Sequence, residues 1–91
     1  MGRLERRIFG LNDEIQRLGA ELRQTEAELS VHRHLADDAV RDAVVYDSPL
    51  DREDARETSA DVARFEELIE DLSKRIAVLS ANRDRLIRKL G

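Results

Sequence analysis

Three groups of side chains have types and spacings that invite a chemical reading: the pair His32 and His34, a run of carboxylates in the middle of the chain, and arginines near both ends. The histidines do not combine. Two residues apart on a helix, they point about 160° away from each other, so they cannot share a metal ion. Di-iron bundles place Glu-x-x-His on a helix, but the residues three before His32 and His34 are Leu29 and Val31. His34 with Asp38 would supply only half a metal site. With no cysteine there is no thiolate ligand, disulfide or thiol nucleophile. A Gly-rich phosphate loop, a nucleophile elbow and a metalloprotease signature are all missing. No metal, cofactor or catalytic residue is expected, and the chain does not read as an enzyme.

The carboxylates are unevenly placed. Residues 35–61 hold nine acids (Asp37, Asp38, Asp42, Asp47, Asp51, Glu53, Asp54, Glu57, Asp61) against three arginines, enough to account for the net charge of −4. Asp47, Asp51, Glu53 and Asp54 surround the single proline, next to Tyr46. Charge preference at a helix N-terminus and solubility explain most of them. The functional alternative is a probe that enters a basic cleft or holds Mg²⁺ at a partner's active site. Bacterial transcript-cleavage factors, which enter the RNA polymerase secondary channel, use a coiled-coil hairpin with carboxylates at its tip. This chain is similar to them in that outline only. Its residues show neither a separate globular domain nor a zinc-binding cysteine set, and its tip matches no motif. The small secreted hairpins of type VII secretion carry Trp-x-Gly at the turn, where this chain reads Asp47-Ser48-Pro49.

The basic residues Arg3, Arg6, Arg7, Arg83, Arg85, Arg88 and Lys89 gather where the chain ends would meet. They suit phosphates of nucleic acid or a membrane surface. The negative net charge, the lack of interleaved aromatics and the lack of a nucleic-acid-binding module argue against that use.

All these residues must be positioned by helices. From Leu4 the apolar spacing alternates four and three through Ile8, Leu11, Ile15, Leu18, Leu22, Thr25, Leu29, His32, Ala36, Ala39, Ala43 and Tyr46. A second run passes through Ala55, Thr58, Val62, Phe65, Ile69, Leu72, Ile76, Leu79, Arg83, Leu86 and Leu90. This is the a/d pattern of a coiled coil, with Ile8 at a. Between the runs, Ser48 reads as an N-cap, Pro49 as a first helical residue, and Asp51 as an acid facing free backbone N–H groups. The expectation is an all-α single domain over 1–91, a long two-helix antiparallel coiled-coil hairpin. Helix 1 spans about 3–46, the turn about 47–50 and helix 2 about 50–90. Each helix is then a rod of roughly 60 Å. A start at Ser59, or at Gly10 and Asn12 for helix 1, is the alternative. Gly19 could allow close approach of a partner helix. Two registers fit: one sets Leu29 against Phe65, the other sets Ala36 against Phe65 and Tyr46 against Ala55. Helix 2 offers ion pairs four apart at Glu70–Lys74, Asp71–Arg75 and Asp84–Arg88.

A lone hairpin needs only its a and d positions. Val31, Leu35, Val40, Val44 and Val45 in helix 1, and Leu68, Val78 and Ile87 in helix 2, lie off them. So wide an apolar stripe predicts that two hairpins pair into a dimeric four-helix bundle, or that another protein's helix covers the patch. Val31, Leu35, Val40, Val44, Leu68 and Ile87 are the expected interface residues. The expected function is a non-catalytic, self-associating adaptor or scaffold that binds a further protein. Alternatives are a transcription regulator acting on RNA polymerase through the acidic tip, and a nucleic-acid or membrane-surface binder using the basic end. No apolar run is long enough for a membrane span, which points to a cytoplasmic protein. The preference for arginine over lysine suggests a GC-rich bacterial genome.

Overall fold

The computed structural model describes residues 2–91, as helix α1 (Arg3–Tyr46) and helix α2 (Pro49–Leu90). The chain is an antiparallel helical hairpin, with no strand among the described residues. It divides into two compact units. The terminal unit comprises Met1–Arg23 and Glu70–Gly91, and the turn unit comprises Gln24–Ile69.

Local chemistry sets each helix end. Gly2 precedes α1, and its N–H donates to Glu5 Oε2 at 3.4 Å, half of a capping box. The helix runs unbroken through Gly10 and Asn12, so neither is a start. α1 ends where Asp47 takes φ = 48°, a left-handed conformation that Asp tolerates better than most residues. Arg52 Nη1 holds it there by donating to the Asp47 carbonyl at 2.9 Å and to its carboxylate at 2.7 Å. Ser48 is the N-cap of α2. Its Oγ accepts from the Asp51 N–H at 3.1 Å, and its hydroxyl donates to the Asp51 carboxylate at 2.5 Å. Pro49 is already helical, and Ser59 lies well inside α2.

The heptad seam is what folding covers. Every a and d position from Leu4 to Ala43 and from Ala55 to Leu86 is buried or half-buried, whereas Tyr46 and Leu90 at the ends are exposed. The core is thin. Ile8, Leu18, Thr25, Leu29, Ala36, Leu72 and Leu86 are its buried members. The polar seam residues are accommodated. Thr58 Oγ1 donates to the carbonyl of Asp54 at 2.8 Å, a bond back to its own helix. No buried side-chain N or O among the described residues lacks a partner. Arg83, the charged member of the seam, donates from Nη1 to Asn12 Oδ1 on α1 at 3.1 Å.

His32, the seam residue after Leu29, sets its ring 4.6 Å from that of Phe65, tilted by 35°. A connection of only Asp47 and Ser48 leaves no slack for the longer tip that would bring Ala36 to Phe65. Of the three expected helix-surface ion pairs, Glu70–Lys74 forms at 3.0 Å. It holds the Lys74 ammonium above the ordinary lysine range, through the hydrogen bond first and the charge second. Arg75 instead crosses to Glu14 at 3.5 Å, and Asp84 takes Arg83 at 3.2 Å. Gly19 makes no close approach to α2: a Cβ there would meet only Arg23 of its own helix, at 3.6 Å.

Candidate interaction surface

Two of the four tip acids serve the turn itself, and a third is paired within α2. Asp47 is bound by Arg52, Asp51 completes the cap at Ser48, and Glu53 pairs with Arg56 at 2.8 Å. Only Asp54 is in no ion pair among the described residues. Nor does any group of three or more His, Asp or Glu among those residues have a geometry that could hold a metal ion.

The negative charge gathers beside the turn instead, in a groove of the turn unit. Seam residues Ala39 and Thr58 line it with Leu35, and Asp38, Asp42, Asp54, Glu57 and Asp61 border it. Asp38 pairs with Arg41 and Asp61 with Arg64, but Asp42, Asp54 and Glu57 have no ion-pair partner among the described residues. Continuing the heptad from Ile8 in α1 and from Ala55 in α2 makes Leu35, Asp42, Asp54 and Asp61 all g residues. Residues on one flank of an antiparallel pair of helices converge in this way. Asp61 also borders a second surface of the same unit, formed with His32, Arg64, Phe65 and Leu68. Leu35 thus borders the first of these surfaces and Leu68 the second, and Leu68 is again a g residue.

The terminal unit carries the opposite charge. Arg7, Leu11, Asn82, Arg85, Leu86 and Lys89 line a groove that contains no carboxylate. Arg85 donates to Asn82, while Arg7 and Lys89 have no ion-pair partner among the described residues. Of the seven basic residues expected to gather, Arg83 is turned toward Asn12, and Arg3, Arg6 and Arg88 lie outside this groove. By sequence the terminal unit holds eleven basic side chains against seven acids, and the turn unit five against thirteen. The formal charges are thus +4 and −8.

The six expected interface residues are all exposed, from Leu68 at 41% to Val44 at 77%. They do not form a single face. Val31, Leu35 and Leu68 occupy the c and g flank of the turn unit. Val40 and Val44 occupy its e and b flank, and Ile87 belongs to the terminal unit. The acids Asp38, Asp42, Glu57 and Asp61 were not singled out as a site from sequence, although their g and c heptad positions are the signal that groups them. No family model matches the chain, and no curated protein or solved structure matches it either. No described helix is long and apolar enough to cross a membrane.

Proposed function

We propose that this chain is a non-catalytic, self-associating helical hairpin that serves as an adaptor or scaffold. One observation carries the reading. The turn unit has only two helices to cover its apolar residues, and they leave Val31, Leu35 and Leu68 exposed on the c and g flank. Burying such side chains is worth up to about 1.5–3 kcal/mol each, so covering this flank with a second hairpin is favourable. The valines of the opposite flank, Val40 and Val44, then stay open to a helix of a different protein.

Sedimentation equilibrium of wild type and of Leu35→Ala/Leu68→Ala tests the proposal. The double variant is expected to associate at least tenfold more weakly, because a symmetric pair loses each side chain twice. Unchanged mass and unchanged thermal stability would refute it. The carboxylate-free groove around Arg7, Arg85 and Lys89 favours a second reading, binding to phosphates. Nucleic-acid or anionic-vesicle binding that weakens steeply with salt would support that reading, and salt-insensitive binding would exclude it.

A further inference from the structure

We propose that the basic groove of the terminal unit holds a single strand of nucleic acid by its phosphate backbone, without reading its bases. The inference rests on the phosphate-binding reading above and names the molecule that carries the phosphates.

The cations of the two units have different surroundings. In the turn unit all five, Arg33, Arg41, Arg52, Arg56 and Arg64, are ion-paired with carboxylates. In the terminal unit Arg7, Arg85 and Lys89 have no ion-pair partner among the described residues, and they line one groove. Arg85 and Lys89 are four apart on α2, where like charges repel each other. Arg7 adds a third positive charge from the α1 wall, and no carboxylate lines the groove among the described residues. An anion entering there relieves the repulsion.

The form of the groove selects the anion. Its walls are two helices, with the seam residues Leu11 and Leu86 in its lining. A thin chain lying along it receives positive charge from both walls. Arg85 and Lys89 are about 6 Å apart along α2, close to the spacing of successive phosphates on an extended strand. A membrane surface is flat, and binding to it draws on apolar side chains that enter the lipid beside the cations. Phe9 and Ile87 are exposed, but at heptad positions b and e they belong to the flank opposite Arg7 and Lys89, both g residues. Among the described residues no aromatic side chain lines the groove, so the strand is held by charge and not by stacking. Backbone contacts need no recognition module, because they carry no base readout. The negative net charge belongs to the turn unit, whereas the terminal unit has a formal charge of +4.

Fluorescence anisotropy of a labelled oligothymidylate, titrated with the whole chain over a range of KCl concentrations, tests this. With Arg7, Arg85 and Lys89 on phosphates, the logarithm of the binding constant should fall against that of salt with a slope of about −2. Arg7→Ala/Lys89→Ala leaves one of these cations, so the slope should shrink to about −0.7 and the affinity at low salt should drop by roughly tenfold or more. Arg7→Lys/Lys89→Arg keeps the charges and should keep the wild-type slope. Arg41→Ala/Arg56→Ala, in the turn unit, should keep it too. Circular dichroism on every variant confirms that the hairpin is folded. Competition with the oligothymidylate–oligoadenylate duplex, and with vesicles of equal parts phosphatidylserine and phosphatidylcholine, identifies the source of the phosphates. Duplex or vesicles that bind more tightly than the single strand overturn the strand assignment while leaving phosphate binding standing. A slope that the alanine pair leaves unchanged, or no salt-dependent binding to any of the three probes, overturns both.

Discussion

Leu18 is the most deeply buried large side chain in the hairpin, at 1% exposure on the α1 seam. Replacing it with alanine removes apolar atoms that water does not reach and leaves a gap between two helices. Comparable truncations in globular cores cost about 2.7–5.0 kcal/mol, depending on how far the surroundings collapse. Two helices with no third layer behind them can close on the gap, so about 3 kcal/mol is expected. A 91-residue chain of ordinary stability has about 5–14 kcal/mol in total, so the loss is a large fraction of it. The melting temperature should fall by roughly 12–24 °C. Leu35→Ala is the control. Leu35 is half exposed and off the seam, so its truncation should cost the isolated hairpin about 1 kcal/mol or less. Thermal and urea melts followed by far-ultraviolet circular dichroism, at one dilute protein concentration, compare the two. The dilution matters because association raises apparent stability with concentration. If Leu18→Ala melts within a few degrees of wild type, or if Leu35→Ala is the costlier change when dilute, the seam is not the core and the reasoning fails.

Two further substitutions probe the local structure. Ser48→Ala deletes the oxygen that receives the Asp51 N–H and the hydroxyl that holds its carboxylate, and should lower stability by about 1 kcal/mol in a urea melt. Gly10→Ala and Gly19→Ala should each raise stability by up to about 1 kcal/mol, because a Cβ meets nothing within 4 Å at Gly10 and only the tip of Arg23 at Gly19. A loss at Gly19 would show that it faces another helix.

The seam was legible in the sequence because four-three spacing is a property of each helix alone. Leu18 and Leu72 are buried where that spacing puts them. The N-cap at Ser48 was legible for the same reason, since its signal lies within four residues. Register was not legible. It depends on how many residues the turn consumes, and the left-handed Asp47, gripped by Arg52, holds the connection to Asp47 and Ser48 alone. What depends on register was missed with it. Arg75 chooses Glu14 on the other helix over Asp71 on its own. The acidic groove draws Asp38 and Asp42 from one helix and Asp54, Glu57 and Asp61 from the other, and only a known register brings them together. Of the tip acids, Asp47 and Asp51 use their carboxylates in hydrogen bonds of the turn itself.

The central claim is that the exposed flank holding Leu35 and Leu68 is covered by a second copy of the chain. Sedimentation equilibrium of the wild-type protein over a wide concentration range tests it most directly. The account predicts a mass of two chains that dissociates on dilution. A mass of one chain at every concentration would contradict it.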